Sequence, residues 1–543
     1  MKRMKQRFFN LFSPLFRLVR YRKKSDPFTL FRKMGINNTS IPNIEYKGTI
    51  LITPLRVSPS SNVFEGLIGT YLRLRGWNVK YLLCNQLLPF CENISNEKRK
   101  CEICSLCKEE QRHFRRTYLG DFILLNEVIS SEEKNEIIQY VETLSFNSEA
   151  DYFYNGINLK DAIEAGVMRY TQKSEIELHD DIPLLRKCAT TAFILSKAVN
   201  ILREKYDIKK LITSHGIYSS WGTVLETAKY FNIDSVVWGR GYIGQGNILF
   251  GNNYAIQEDL KYETEDNFRH VQLDEEKRKT VFDYYLAKSN PKKKVDYIDY
   301  YEGISSEIFD INAFISKVNN YKTVFGMFTN IPWDGQIFNK TDDFPSTRKY
   351  IRDTIQWFER NPDTLLIIRA HPAEVSREDS IRGWTFEYLL KQEYPELPEN
   401  VIFLAPQNPI TSYKLLEYIQ YAIMYGSSMA IELAVRRIPV IHTGFTYISN
   451  KNIVFDVTTV DDFYQKLDKA KAGELVVTDD MYENALKYGY YWIVERNIPD
   501  NSCKLSNLNF VSYKFSNKDE FLKNEFLSFV YDRIVENKRL IKS

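Results

Sequence analysis

One segment of the C-terminal half places a cation beside an imidazole. Arg369-Ala-His371-Pro372 directly follows the apolar run 364–368, and such a run predicts a buried strand. Open α/β sheets bind their ligands at the carboxyl ends of the strands. Pro372 cannot continue the strand, so it fixes the turn that aims His371. This segment therefore predicts a ligand contact at the edge of a sheet.

A second segment has the residue types of a phosphate-binding turn. Tyr425-Gly-Ser-Ser428 ends another apolar run and precedes a helical pattern. The glycine allows close backbone approach, the serines could cap the helix, and the first N–H groups of a helix suit an anion. Glu432, one turn further, could accept hydrogen bonds from ribose hydroxyls. The predicted nucleotide site consists of Arg369, His371, Pro372, Gly426, Ser427, Ser428 and Glu432.

Short apolar runs alternate with helical patterns on both sides of a charged central stretch. This alternation predicts parallel sheets covered by helices, so we expect an α/β fold with two Rossmann-like domains facing a cleft. The predicted units are a basic amphipathic segment (1–47), an N-terminal Rossmann-like acceptor domain (48–254), a helical linker (255–320), a C-terminal Rossmann-like donor domain (321–500) and a C-terminal helical segment (501–543).

Five of the seven cysteines lie within 24 residues of the N-terminal half. Their CxxC spacing suits a tetrahedral metal site and favours a reducing compartment. A structural zinc ion bound by Cys84, Cys91, Cys101 and Cys104 is one interpretation, with Cys107 or His113 as a substitute ligand. Free thiols and an iron–sulfur cluster are the alternatives.

The first 24 residues carry nine Lys or Arg and no acidic residue around a broken apolar run. This run is too short and too interrupted to span a bilayer. We expect an interfacial segment on an anionic membrane, and a solvated tail is the alternative. The whole chain has a formal net charge of only +3, so we expect no nucleic-acid partner.

The two C-terminal motifs resemble a known family. Arg369-Ala-His371-Pro372 and the stretch 427–440, which begins Ser-Ser-Met-Ala-Ile-Glu, are similar to the donor half of GT-B glycosyltransferases that build bacterial capsules and related polysaccharides. These include Kdo-transferring capsule proteins and bacterial sialyl- and polysialyltransferases. The resemblance covers roughly 320–445 and implies that His371 and the two serines hold the phosphate of a CMP- or UDP-linked sugar donor. Trp333-Asp334-Gly335 matches only part of the acidic-Gly motif of the sialyltransferases.

We expect an inverting transfer to a saccharide or glycolipid acceptor. The basic segment 1–24 and the clustered thiols lead us to expect a protein of the cytoplasm, attached peripherally to the inner face of the cell membrane. An inverting transfer needs a general base near the acceptor hydroxyl. Glu65, His215 and Asp334 are the candidates. No DxD-like pair follows a strand of the donor half, so we expect catalysis without a divalent metal, with Arg369 and helix N–H groups stabilising the leaving phosphate.

Three other functions fit the same pattern. Similar motifs serve polyol-phosphate transfer from a CDP-linked donor in teichoic-acid polymerases. A sugar-nucleotide epimerase shares the architecture but needs no glycan acceptor. A non-catalytic scaffold at a membrane would bind lipid but no nucleotide.

Overall fold

The computed structural model describes residues 27–37, 45–55, 59–92, 100–241, 243–244, 246–290, 309–333, 335–376, 383–506 and 509–542. The basic segment 1–24 lies outside this part of the chain. Among the described helices, none combines the length and apolar character that a membrane crossing needs.

The strands form two large sheets and two small hairpins. In chain order they are β1 Thr49–Ile52, β2 Asn78–Leu83, β3 Asp121–Leu124, β4 Phe153–Tyr154, β5 Ile157–Asn158, β6 Ile208–Ser214, β7 Asp234–Arg240, β8 Asn247–Asn252, β9 Thr323–Phe328, β10 Thr364–Arg369, β11 Val401–Leu404, β12 Tyr421–Met424, β13 Val440–His442, β14 Phe455–Asp456, β15 Ile498–Pro499, β16 Cys503–Ser506 and β17 Asn509–Tyr513.

Helices cover both sheets. They are α1 Pro27–Arg32, α2 Pro59–Leu74, α3 Lys100–Arg115, α4 Leu125–Val128, α5 Ser131–Glu142, α6 Lys160–Thr171, α7 Leu178–Tyr206, α8 Thr223–Tyr230, α9 Ile256–Lys261, α10 Glu275–Lys288, α11 Ile311–Val318, α12 Thr347–Arg360, α13 Ala373–Ser376, α14 Phe386–Glu393, α15 Ser412–Leu415, α16 Met429–Val435, α17 Val460–Lys471, α18 Asp479–Tyr490, α19 Lys518–Leu522 and α20 Glu525–Val535. Short 3₁₀ or π turns occupy Glu149–Tyr152, Tyr218–Gly222, Glu265–Asn267, Gln336–Phe338 and Tyr491–Arg496.

The C-terminal sheet has six parallel strands in the order β11-β10-β9-β12-β13-β14. Counted from its own first strand, this is the order 3-2-1-4-5-6 of the Rossmann fold. The central strands β9, β10 and β12 are buried at every position, as expected for parallel strands covered by helices on both faces. The chain therefore reverses its direction of winding between β9 and β12.

The N-terminal sheet has seven strands in the order β15-β8-β7-β6-β1-β2-β3. Its strands from β7 to β3 are parallel, whereas β8 and β15 are antiparallel additions at one edge. The parallel part repeats the Rossmann order, with a reversal between β1 and β6. The expected α/β fold with two Rossmann-like domains is confirmed.

The end of the chain returns to the N-terminal sheet. After α18, the π turn 491–496 leads into β15, which pairs with β8. Helix α20 packs against α2, and apolar residues of the last helices share a core with Phe64 and Trp238. The sequence predicts a C-terminal helical segment from residue 501, and the structure shows that this segment covers the N-terminal domain.

Candidate functional site

The reversal between β9 and β12 opens a crevice at the carboxyl edge of the C-terminal sheet. Thr329 and Asn330 follow β9, and Gly426 lies two residues beyond β12. The side-chain amide of Asn330 donates to the carbonyl oxygen of Gly426 over 3.2 Å. This bond joins the two strand ends, so both predicted motifs lie around one crevice.

His371 lies at this edge because β10 neighbours β9. Its backbone N–H donates to the Thr329 hydroxyl over 3.0 Å, and its ring Nδ1 accepts from the Ala373 N–H over 3.1 Å. An acceptor Nδ1 places the proton of the neutral ring on Nε2. Pro372 is buried, whereas His371 is half-buried. The turn therefore presents a neutral imidazole with a donor Nε2–H.

The turn at Gly426 requires glycine. Its φ is +99°, and a methyl group there would lie 2.8 Å from Thr446 Cγ2 and 3.2 Å from Asn339 Nδ2. The Ser427 hydroxyl accepts from the Met429 N–H over 3.4 Å. Helix α16 therefore begins beneath two half-buried serines, Ser427 and Ser428, which lie beside a closely packed backbone.

Arg369 occupies a different position from the expected one. Its side chain is 1% exposed, and its guanidinium donates to the carbonyl oxygens of Ala370, Ala405, Pro406 and Asn408 at 2.5–3.3 Å. The guanidinium thus stabilises the loop after β11 by donating to three of its carbonyl groups. This geometry does not fit the expectation that Arg369 presents its charge to a phosphate.

Glu432 is also engaged within the protein. It is 2% exposed, and its carboxylate accepts from the Tyr413 hydroxyl over 3.0 Å and pairs with Lys288 Nζ at 2.7 Å. The carboxylate connects α16 to the end of α10. The predicted contact with ribose would require Glu432 to exchange one of these partners.

His215 lies at the corresponding edge of the N-terminal sheet. It directly follows β6, next to the point where the Thr53 and Thr213 hydroxyls join β1 to β6 over 2.8 Å. His215 has a positive φ of 55° and is exposed. Its ring stacks on Trp221 with centroids 4.9 Å apart, and its Nδ1 lies 2.5 Å from the Ser214 hydroxyl. The imidazole thus lies at the carboxyl edge of the N-terminal sheet, beside the reversal between β1 and β6.

Glu65 lies within a helix and not on a loop. Helix α2 begins at Pro59, because proline suits the first helical position, and it already includes Glu65. The carboxyl group is 2% exposed and accepts from the Trp238 indole and the Asn62 amide, both at 3.2 Å. Burial raises its pKa to about 8, although both hydrogen bonds oppose the shift.

The raised pKa predicts how Glu65→Gln changes the dependence of stability on pH. The folded state keeps the proton up to about pH 8, whereas the unfolded chain releases it above its usual pKa. Stability therefore falls as pH rises through this window. The glutamine side chain of the variant does not titrate. Relative to wild type, its free energy of unfolding should therefore rise by about 2 kcal/mol between pH 6 and pH 8. Urea unfolding at several pH values measures the difference, and parallel curves would contradict the prediction.

Asp334, the third candidate base, lies outside the described residues. Its neighbours lie between the two domains: the Arg169 guanidinium stacks over the Trp333 ring at 4.8 Å, and Gly335 approaches the side chain of Gln257. Trp333 and Gly335 are therefore located where the domains meet.

Four thiols line one cavity beside α3. They belong to Cys84, Cys91, Cys104 and Cys107, and none of these residues is in a disulfide. The side chain of Cys101 is not described, and the His113 ring instead stacks near Phe28. Among the described side chains, no group of three potential ligands is arranged to hold a metal ion. The zinc site thus remains a prediction from spacing.

Sequence reasoning missed three residues around the crevice between β9 and β12: Thr329, Asn330 and Asn339. Two of them directly follow β9, so the strand-end rule applied to that apolar run would have found them. Asn339 does not follow a strand, so the same rule could not have found it. The tertiary structure brings it against Gly426.

No protein-family profile and no curated protein sequence matches the chain. The chain is similar to two solved structures from Thermosulfurimonas dismutans. One is KpsC, beta Kdo 2,4 transferase, with 11% identity, 52% of this chain and 79% of that chain covered and a TM-score of 0.34. The other is KpsC, beta Kdo 2,7 transferase, with 12% identity, coverage of 61% and 90% and a TM-score of 0.32.

A putative UDP-N-acetylglucosamine 2-epimerase from Listeria monocytogenes is similar at 8% identity, with 91% of this chain and 98% of that chain covered and a TM-score of 0.24. At these TM-scores the likenesses carry no argument about activity. The assignment of two Rossmann-like domains therefore rests on the strand order of the two sheets. The function is inferred from the geometry of the site.

Proposed function

We propose that this protein is a glycosyltransferase that moves a sugar from a nucleotide-activated donor to a growing surface polysaccharide or glycolipid. The observation that supports this most directly is the crevice between β9 and β12. There the His371 turn and the Gly426–Ser428 turn meet through Thr329 and Asn330. Imidazole, hydroxyl and backbone N–H donors at a Rossmann switch point suit the phosphate of a nucleotide.

In the proposed reaction, an acceptor hydroxyl oxygen attacks the anomeric carbon while the bond from that carbon to the phosphate oxygen breaks. The electron pair stays on the phosphate, where the His371 ring and helix N–H groups stabilise the charge without a divalent metal. The acceptor proton passes to a base on the facing domain. We favour His215 over Glu65 for this step, because His215 is exposed at a strand end and Glu65 is covered by Trp238. Direct displacement would invert the anomeric centre.

A thermal-shift screen of the full-length protein with CMP, CDP, UDP and GDP tests the proposal, because a ligand bound only by the native state raises its stability. We expect the protein to prefer one nucleobase. The sugar donor that carries this nucleobase should then yield free nucleotide and a glycosylated acceptor. Released CMP with phosphate in the product would instead indicate polyol-phosphate transfer, and an isomerised donor without acceptor would indicate an epimerase. Absence of nucleotide binding would favour a scaffold.

The proposal includes attachment to an anionic membrane through residues 1–24. Each of the nine cations contributes on the order of 1 kcal/mol near such a surface, and the apolar side chains add burial. Deleting residues 1–24 should therefore release the protein from anionic liposomes and leave transfer to a soluble acceptor nearly intact. Equal co-sedimentation of both forms would contradict this prediction.

A further inference from the structure

Trp333 and residues 335–340, here together called the bridge segment, connect the donor crevice to the facing domain. The Arg169 guanidinium of α6 stacks over Trp333. Lys261 Nζ of α9 donates to the Phe338 carbonyl oxygen over 3.2 Å, and α6 packs against the 3₁₀ turn 336–338. One side of the bridge segment is therefore fixed by the N-terminal domain.

The other side of the bridge segment forms a wall of the donor crevice. The Asn339 carbonyl oxygen accepts from the Phe445 N–H over 3.1 Å. The same residue packs so closely on two glycines that a methyl group on Gly426 would lie 3.2 Å from its Nδ2 and one on Gly444 would lie 2.8 Å from its carbonyl oxygen. Asn339 thus lies against the turn that precedes Ser427, and Lys340 is the next residue along the chain.

Lys340 is half-buried at this position, and the hydrogen bonds and ion pairs found among the described residues do not include it. Two carboxyl groups of α6, Asp161 and Glu164, lie within its electrostatic reach. Burial raises the pKa of both groups, and the positive charge of Lys340 is the strongest influence that opposes the shift in each. Lys340 therefore follows the residue that packs on the donor turn, close to partly desolvated carboxyl groups of the helix that packs against the turn 336–338.

A nucleotide in the donor crevice needs a positive charge near its phosphate. Arg369, the nearest cation in sequence to His371, donates instead to four carbonyl groups, and the His371 ring accepts at Nδ1 like a neutral imidazole. A lysine ammonium on its flexible stem is a compact point charge that phosphate groups bind well. Lys340 is placed to supply it.

We propose that Lys340 binds the phosphate of the nucleotide donor, and that the negative charges of Asp161 and Glu164 attract its ammonium group towards α6 when no nucleotide is bound. This inference rests on the proposed function of the crevice. It assigns to the bridge segment the electrostatic role that the sequence suggested for Arg369. It also couples the facing domain to the donor, because the carboxyl groups and the phosphate compete for one cation.

Calorimetric titration of full-length Lys340→Met with CMP and UDP, and with the nucleosides cytidine and uridine, tests the assignment. A lost charge-assisted contact should weaken binding of the preferred nucleotide about 10- to 100-fold, and nucleoside affinity should not change. Lys160→Met is the matched control, since Lys160 lies on α6 in the same charged region but over the Tyr152 ring. It should bind like wild type.

The double variant Asp161→Asn with Glu164→Gln provides a second test that does not depend on how Lys340→Met folds. Removing the competing carboxylates should tighten nucleotide binding. The inference would be overturned if Lys340→Met bound the nucleotide as tightly as wild type, or if it lost affinity for nucleotide and nucleoside equally. Either result would leave the proposed function standing. Failure of the wild-type protein to bind any of these nucleotides would overturn both.

Discussion

Replacing His371 with alanine should slow sugar transfer about 100- to 1000-fold, because the imidazole stabilises charge that develops on the leaving phosphate. Nucleotide affinity should fall less than the rate, since the charge grows towards the transition state. The fold should persist, because the ring is half-buried at the end of β10 rather than packed in the core. Initial rates and calorimetric titration with the preferred donor measure the two effects.

The double variant Ser427→Ala with Ser428→Ala should weaken nucleotide binding independently, by about 1.5 to 3 kcal/mol. His179→Ala is a suitable control, because His179 is an exposed residue at the start of α7 in the N-terminal domain. Unchanged nucleotide affinity in both the histidine and the serine variants would remove the assignment of the crevice as the donor site.

The largest effect on stability is expected for Arg496→Ala. Arg496 is fully buried, and its guanidinium donates to the Phe250 carbonyl over 2.9 Å and to the Asp259 carboxylate over 3.1 Å. Its Nε lies 3.4 Å from Glu263, which is also buried. Removing the cation leaves two buried carboxylates with Arg539 as their remaining guanidinium partner. We expect a loss of about 3 to 5 kcal/mol, measured by denaturant unfolding.

Arg269→Ala provides the matched control for this prediction. Arg269 pairs with Asp266 at 2.6 Å, but both side chains are more than 70% exposed, and exposed pairs contribute at most about 1 kcal/mol. If both arginine variants lost a similar free energy of unfolding, burial of the ion pair would not determine how much stability is lost. The comparison also tests how firmly the π turn 491–496 holds the end of the chain on the N-terminal domain.

The alternation of apolar runs and helical patterns was sufficient to predict two Rossmann-like domains. β9, β10 and β12 are short and apolar at nearly every position, and such runs are recognisable because a fully buried parallel strand tolerates few polar residues. The strand-end rule then located His371 and Gly426 correctly at one sheet edge, since their positions depend mainly on the strands that precede them.

The start of α2 shows the limit of local patterns. Apolar residues at helical spacing begin only at Val63, and the stretch Ser58-Pro-Ser-Ser-Asn62 before them is typical of a loop. In the folded chain Pro59 begins the helix. Glu65 therefore became a buried group beneath Trp238, on a strand far away in sequence.

Local sequence patterns were enough to place most strands and helices and the polar residues at the strand ends, because both depend on neighbours within a few positions. The partners of the charged residues depend instead on the folded chain. Arg369 donates to the loop 405–408, Glu432 pairs with Lys288, and the bridge segment brings Asn339, the residue before Lys340, against Gly426. A long charged side chain takes the partner that the folded chain brings nearest, and a buried charge must find one at almost any sequence distance.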